Sequence, residues 1–227
     1  MEETLIETWG KLKLIEREQA DVLFDLTTEE ATLRRGNMSL LGLVITEKVI
    51  NSEAFKISMG RIWKLRGGLK IKGVGKNLFL FEFDEATDMQ KVKLGRPWTF
   101  DRQLLCLKDY NGQISPKEMV FDKEPLWVQV HNIPLGGMTR KVGEQTGRQV
   151  GEVLDVDVDE QDVGWGPYLH IKILIDITKP LMRGVMGSFN GTRVWLQFQY
   201  ERLPSFCFNC GIIKHSLEGC QNQESAR

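Results

Sequence analysis

The chain has 227 residues, of which 41% are hydrophobic and 27% are charged, and its formal net charge is −1. These proportions are ordinary for a globular protein and argue against wholesale disorder. No apolar run approaches the roughly 18 to 20 residues that a membrane span needs, and the acidic start MEETLIETWG is not typical of a signal peptide. We therefore expect an intracellular protein of a reducing compartment, nuclear or cytoplasmic, without membrane contact.

Residues 1–38 are predicted to form an N-terminal arm that lacks a clear hydrophobic period. A short helix is expected near residues 25–35, where TTEE resembles a helix start with acidic residues in its first turn. The arm carries five Lys/Arg against nine Asp/Glu, whereas residues 39–110 carry thirteen against eight. The electrostatic footprint expected of a nucleic-acid-binding protein is therefore local and modest.

Residues 39–110 are predicted to form a ferredoxin-like β-α-β-β-α-β domain of the α+β class. SLLGLVIT is a β-leaning apolar run, and a helix with Asn51 or Ser52 as N-cap follows it as far as the Gly-Gly pair at 67–68. LKIKGVG and NLFLFEFD indicate two strands, EATDMQKVKLG a helix, and RQLLCLKDY the last strand. This order is the split βαβ arrangement.

Residues 111–203 are predicted to form a β-rich second half, a degenerate copy of the first with its second helix lost. LWVQVHNIP indicates a strand, TRKVGEQTGRQVG a short helix, and GEVLDVDVDE, YLHIKILIDI and TRVWLQFQYERL three further strands. TKPLMRGVMGSFNG, before the last strand, is too broken by Pro and Gly for a full helix. Two arrangements stay open: a separate domain, or an extension that packs on the first sheet.

The run KNLFLFEF decides whether the first domain resembles an RNA-recognition motif, which stacks bases on aromatic residues of its third strand. Leucines, Leu78 and Leu80, occupy the two stacking positions. Strand alternation places Phe79, Phe81 and Phe83 on the opposite face. We expect these phenylalanines in the core, and the leucine face suits a partner surface or the second half better than stacked bases.

A better candidate for phosphate contact is RIWKLRGGLKIKGVGK, which spans a predicted helix end, a Gly-Gly turn and a strand. Its six cations are Arg61, Lys64, Arg66, Lys70, Lys72 and Lys76. Such a cluster can follow a phosphate backbone. The alternative is a solvated helix face and strand edge, where Lys also discourages aggregation. Trp63 within this stretch is predicted to anchor the core.

No catalytic residues are predicted. Cys106 lies in the apolar strand LLCL as a buried thiol, and His131 and His170 lie on separate strands. The acidic alternation DVDVDE at 155–160 would suit a metal-dependent nuclease, but Asp alternating with Val suits a half-exposed strand equally well. Because no other part of a two-metal site accompanies it, we expect a non-enzymatic protein without a small-molecule substrate, with a nuclease as the third option.

Residues 204–222 contain the segment CFNCGIIKHSLEGC, which a short tail at 223–227 follows. Its candidate ligands, in the spacing C-x2-C-x4-H-x4-C, are Cys207, Cys210, His215 and Cys220. In a reducing compartment, clustered Cys and His hold metal more often than they form disulfides. Four protein ligands close a tetrahedral zinc site and leave no open position for catalysis, so the spacing predicts one structural Zn²⁺.

This segment resembles a zinc knuckle of the retroviral nucleocapsid type: Phe208 matches the aromatic residue after the first Cys, and Gly211 matches the Gly after the second. The chain also resembles a plant family that carries the domain of unknown function 4283 and a CCHC knuckle. The segments that carry this resemblance are IWKLRGGLKIKGVGKNLFLFEF, GRPWTFDRQLLCLKDY, PLWVQVHNIPLGGMT, GEVLDVDVDE and YERLPSFCFNCG. Many members of that family are related to the Gag-like first open reading frame of LINE-type retrotransposons. The resemblance covers roughly residues 39–220, although Lys214 stands where the knuckle pattern usually has Gly.

The resemblance implies zinc binding and the binding of single-stranded RNA or DNA, with unstacked bases resting on apolar knuckle side chains. The predicted contact residues of the knuckle are Phe208, Ile213 and Lys214, and the basic helix–turn–strand would add phosphate contacts. Because few cations flank the knuckle, it should bind weakly alone. The alternative is a protein-interaction or self-assembly module, a homo-oligomer for example, in which the knuckle is only a structural clip.

Overall fold

The computed structural model describes residues 8–9, 12–13, 36–214 and 220. These residues form two five-stranded antiparallel β-sheets with few helices, which confirms the predicted α+β class. The helix predicted near residues 25–35 lies outside the described residues. None of the described helices is long and apolar enough to cross a membrane.

The first sheet contains β1 (Ser39–Val44), β2 (Leu69–Gly75), β3 (Leu78–Phe83), β4 (Trp98–Phe100) and β5 (Gln103–Asp109). Helix α1 (Ser52–Trp63) connects β1 to β2, and α2 (Ala86–Leu94) connects β3 to β4. The strand order is β2-β3-β1-β5-β4, and all neighbours are antiparallel. This is the predicted ferredoxin-like arrangement, to which β4 adds a short edge hairpin that the sequence pattern did not indicate.

Helix α1 begins and ends as its sequence dictates. The Asn51 side chain accepts hydrogen bonds from the N–H groups of Glu53 and Ala54, both at 3.0 Å, which satisfies two donors that the first turn leaves free. The helix buries Trp63 against the phenylalanines of β3. Both the core role of Trp63 and that of the Phe run are therefore confirmed; the phenylalanines are Phe79, Phe81 and Phe83.

The second sheet contains β6 (Lys123–His131), β7 (Glu152–Asp157), β8 (Tyr168–Asp176), β9 (Gly184–Phe189) and β10 (Thr192–Tyr200). Helix α3 (Arg140–Gly147) connects β6 to β7. The order β7-β8-β6-β10-β9 repeats that of the first sheet strand for strand. An irregular segment, 177–183, stands where α2 stands in the first half, so the predicted degenerate copy without its second helix is confirmed.

One hydrophobic cluster joins the two sheets. It contains Leu41, Leu78 and Leu104 from the helix-free face of the first sheet, together with Leu126 and Ile171 from the second. All five side chains are at most 6% exposed. The face on which an RNA-recognition motif would stack bases is therefore buried in the first half, and the second half packs on the first.

Candidate metal centre and nucleic-acid interface

Three thiols lie close together beyond the second sheet. The Sγ atoms of Cys207, Cys210 and Cys220 are all within 4.8 Å of one another. Sulfurs that share a tetrahedral Zn²⁺ at about 2.3 Å lie about 3.8 Å apart, so this cluster fits one ion. His215, the predicted fourth ligand, lies outside the described residues.

A tight turn presents the first two sulfurs. The N–H of Gly211 donates to the carbonyl of Cys207 at 2.7 Å, and the N–H of Cys207 donates to the carbonyl of Ile212 at 2.8 Å. Gly211 has a φ of +78°, which glycine adopts without steric cost. Hydrogen bonds from the backbone of Cys210 and of Asn209 lower the pKa of the Cys207 thiol to about 7. The turn therefore favours the thiolate of Cys207, which is the form that binds zinc, whereas desolvation and the neighbouring thiols raise the pKa of Cys210.

The knuckle is docked onto the second sheet. The N–H of Leu181 donates to the carbonyl of Gly211 at 3.0 Å, and the N–H of Lys214 donates to the carbonyl of Ile177 at 2.8 Å. Between these bonds, Ile213 is 6% exposed and packs in the shared core. The structure thereby corrects the assignment of Ile213 to the base-contacting surface, because its side chain faces the protein interior.

Phe208 has the opposite environment. Its side chain is 91% exposed, and its ring centroid lies 4.9 Å from that of Phe206. The ammonium group of Lys214 donates to the carbonyl of Phe121 at 3.0 Å, which ties this cation to the body of the protein. The assignments of Phe208 and Lys214 to nucleic-acid contact stay predictions.

The six predicted phosphate-contacting cations are all exposed, but they do not share one face. Leu69 and Ile71 of β2 pack against the helix side of the sheet, so the alternating Lys70 and Lys72 point to the opposite side. Lys72 also pairs with Glu82 at 3.1 Å. Three cations remain together at the end of α1 and in the loop after it, Arg61, Lys64 and Arg66, and Lys76 lies in the turn at the far end of β2.

A buried carboxylate fixes the loop between α1 and β2. Oδ2 of Asp88 accepts hydrogen bonds from the N–H groups of Arg66 at 2.8 Å and Gly67 at 2.7 Å. The sequence pattern placed Asp88 only within the helix predicted for EATDMQKVKLG. The second role depends on the packing of α2 beside this loop, which local pattern does not encode.

The three carboxylates of the acidic strand serve separate local contacts. Asp155 lies 3.8 Å from Nη1 of Arg140, and Asp157 lies 3.4 Å from Nδ1 of His170. Asp159 accepts two backbone N–H groups of the turn that follows. Cys106 is fully buried, as predicted. The absence of catalysis stays a prediction.

The helix-free face of the second sheet carries a group of rings that sequence reasoning treated separately. The rings of Trp127 and His170 stack with centroids 4.2 Å apart, and Tyr168 lies 6.1 Å from His170. The ammonium group of Lys172 lies 5.4 Å from the centroid of Trp127. Glu201 contacts Nε2 of His170 at 3.1 Å. Strand alternation within LWVQVH and YLHIK indicates this shared face once the pairing of β6 with β8 is known.

Two parts of the chain are similar to known families. Residues 33–118 match the domain of unknown function DUF4283, and residues 175–222 match a zinc knuckle family. The second match begins within β8 and so includes the segment to which the knuckle is hydrogen-bonded. An uncharacterized protein of Arabidopsis thaliana is 23% identical over 135 residues, which is 59% of this chain and 42% of that protein. The chain thus spans about two fifths of the length of this curated relative.

Proposed function

We propose that this chain, which combines a DUF4283 domain with a CCHC zinc knuckle, binds single-stranded RNA or DNA through the knuckle. The observation that carries the proposal is Phe208, whose ring is 91% exposed beside the three-thiol cluster. A ring fixed on a metal-ordered turn offers its face to an unstacked base. The cations at the end of α1 would add phosphate contacts.

The metal in this proposal is one structural Zn²⁺. Cys207, Cys210 and Cys220 would hold it together with His215, and four protein ligands leave no position open for a reaction. We further propose a non-enzymatic, intracellular protein with a Gag-like organisation and retrotransposon ancestry. The support for this ancestry is the order of a DUF4283 domain followed by a knuckle, together with the resemblance of PLWVQVHNIPLGGMT and GEVLDVDVDE to segments of the plant family.

Replacing Phe208 with alanine is expected to weaken the binding of single-stranded oligonucleotides of about 20 residues by roughly 5- to 150-fold, because one base–aromatic stacking contact contributes about 1–3 kcal/mol. The measurement is fluorescence anisotropy with zinc-loaded protein and labelled RNA or DNA at two salt concentrations. Binding of the unaltered chain should weaken steeply with salt.

Trp165→Ala is the matched control, because Trp165 is 72% exposed but lies in the connection between β7 and β8. It should bind like the unaltered chain. Equal affinities for Phe208→Ala and Trp165→Ala would place base contact elsewhere. If the zinc-loaded, folded chain binds neither RNA nor DNA at micromolar concentrations, the proposed function is wrong.

A second candidate function, protein association, is favoured by the helix-free face of the second sheet. Trp195 and Met186 pair across β9 and β10 on this face, and each is 45% exposed. Asp157 and Glu201 lie on the same face beside the ring of His170, and their charge opposes a phosphate backbone but not a protein surface.

Oligomers that grow with concentration in sedimentation velocity and disappear in Trp195→Ser would support self-association through this face. A monomer at every concentration would exclude self-assembly.

A further inference from the structure

A groove of about 630 Å³ lies between the hairpin of β4 and β5 and the segment that leads into the knuckle. Its lining includes Ile62, Trp98, Arg102, Arg202, Phe206 and Phe208. The N–H of Ser205 donates to the carbonyl of Arg102 at 2.7 Å, which joins the two walls. The groove is therefore built by both halves of the chain and opens beside the exposed ring of the knuckle.

The groove walls have fixed positions. Nε1 of Trp98 donates to the carbonyl of Val92 at 2.7 Å. Nη1 of Arg202 donates to the carbonyl of Gly95 at 3.3 Å, which holds the start of the knuckle segment against the first domain. Because the ring of Trp98 is held in place by such a bond, it loses little conformational freedom when a ligand stacks on it.

The charge of the lining selects an anionic ligand. Arg102 and Arg202 line the groove, and no carboxylate of the described residues does so. Three other cavities in the described part of the chain each include an aspartate: Asp109 in two of them, and Asp157 with Asp159 in the third. Two guanidinium groups beside aromatic rings are the combination with which proteins bind single-stranded nucleic acid.

The groove also leads from the knuckle toward the first domain's cations. One wall includes Ile62, the next-to-last residue of α1. Arg61 and Lys64 flank this position and are exposed. The groove thus lies between the ring of Phe208 and the basic end of α1, the two features that the proposed function uses separately.

We propose that this groove is a second nucleotide-binding site, through which a single strand held at Phe208 continues toward the basic end of α1. Bases would stack on Phe206 and Trp98, and phosphates would pair with Arg102 and Arg202. This inference rests on the proposed function, because it requires a strand at the knuckle. It goes further by naming the path of the strand over the body of the protein.

The test is the double variant Arg102→Gln/Arg202→Gln, titrated with a short oligonucleotide of about 4 residues and a long one of about 20. The short ligand can occupy the knuckle alone, whereas the long one also reaches the groove. We expect unchanged affinity for the short ligand and a loss of about tenfold for the long one. The slope of log K against log salt should fall by about 1.4 for the long ligand, since each lost single-strand phosphate contact removes about 0.7.

Arg148→Gln/Arg193→Gln is the matched control, because it removes the same charge from exposed positions in α3's C-cap and in β10. It should bind both ligands like the unaltered chain. If the groove variant matches this control in affinity and slope for the long ligand, the groove is not a site, although the proposed function stands. If the unaltered chain binds neither ligand, both the proposed function and the proposed groove site are wrong.

Photo-crosslinking of the unaltered, zinc-loaded chain to the long ligand tests the path without any substitution. With 5-iodouracil along the strand, mass spectrometry should find crosslinks on the peptide that contains Trp98, and not only on the knuckle peptide that contains both Phe206 and Phe208. Crosslinks confined to Phe208 and the rest of the knuckle would overturn the proposal even if both arginine variants fold poorly.

Discussion

Replacing Cys210 with serine is expected to lower the free energy of unfolding of the whole chain by about 4 kcal/mol at a zinc concentration about 1,000 times the dissociation constant. Zinc raises the free energy of unfolding because it binds the folded chain more tightly than the unfolded chain. Serine removes one of the three sulfurs that lie within 4.8 Å of one another. The loss reaches the body of the protein only if the knuckle and the body unfold together.

The contacts of the knuckle indicate that they do. Ile213 is 6% exposed in the core shared by both sheets. On either side of it, Gly211 and Lys214 form backbone hydrogen bonds of 3.0 Å and 2.8 Å with the segment that follows β8. The turn that presents Cys207 and Cys210 leads directly into these bonds, so zinc orders a segment that already contributes to the core. A knuckle on a free tether would lose zinc without any effect on the sheets.

Thermal unfolding followed by circular dichroism measures this coupling. For a chain of this size, about 1 kcal/mol corresponds to roughly 2–4 °C, so both chelation and Cys210→Ser should lower the Tm by roughly 8–16 °C. The chelator should have no further effect on the variant. Asn209→Ala, which changes the same turn and keeps every ligand, should retain zinc and Tm. If chelation strips zinc from the unaltered chain and leaves its Tm in place, the docking is independent of the metal.

Local sequence patterns correctly predicted the secondary-structure features that depend on residues close together in the chain. Asn51 caps α1 as its position before an amphipathic run indicated, and the alternation of leucine with phenylalanine in β3 correctly assigned its two faces. The two strands that escaped prediction lie beside turns. Strand β4 has three residues and is followed by Asp101 and Arg102, both at positive φ, a conformation that an arginine does not signal. The signal for β9 was present in Asn190-Gly191, a typical hairpin turn.

The candidate site also contains some features that the local sequence predicts and others that depend on contacts between distant parts of the chain. Spacing alone brought Cys207 and Cys210 together, because a two-residue gap closes within one turn. Whether Ile213 faces a base or the core depends on contacts with a segment more than thirty residues earlier in the chain, which no local pattern contains. The groove also depends on contacts between distant parts of the chain, since its walls come from β4, α1 and the segment after β10. Glu124 is the extreme case, because this charged side chain lies between Lys123 and Pro125 in the sequence and the fold buries it completely.

Glu124→Gln is expected to stabilise the chain by about 3 kcal/mol at pH 8 and to have little effect near pH 4.5. The carboxylate lies at the junction of β5 and β6. Its Oε2 accepts the N–H of Leu107 at 3.3 Å, and its Oε1 lies 3.9 Å from Nε of Arg96 without a hydrogen-bond partner among the described residues. Burial raises the pKa of Glu124 from 4.5 to about 7, although Arg96 acts in the opposite direction.

The sign of the pH dependence follows from where the proton resides. Between pH 4.5 and about 7, the folded chain keeps a proton on Glu124 that the unfolded chain has released. Stability therefore falls as the pH rises through this window and levels off above about 7. At about 1.4 kcal/mol per pKa unit, the whole change is about 3 kcal/mol. The lowered pKa of Asp176, about 2 because the Thr178 hydroxyl donates to it, acts only at pH values below this window.

Urea unfolding at several pH values between 5 and 8 separates the buried carboxylate from every other group. Glutamine keeps the acceptor for the N–H of Leu107 and cannot ionise, so the variant should lose the decline in stability that the unaltered chain shows across this range. Glu152→Gln, at an exposed position of β7, is the control and should retain that decline. Parallel profiles for Glu124→Gln and the unaltered chain would mean that Glu124 ionises normally in the folded state. Its complete burial opposes this, because desolvation outweighs the opposing effects of Arg96, Cys106, Leu107 and Lys108.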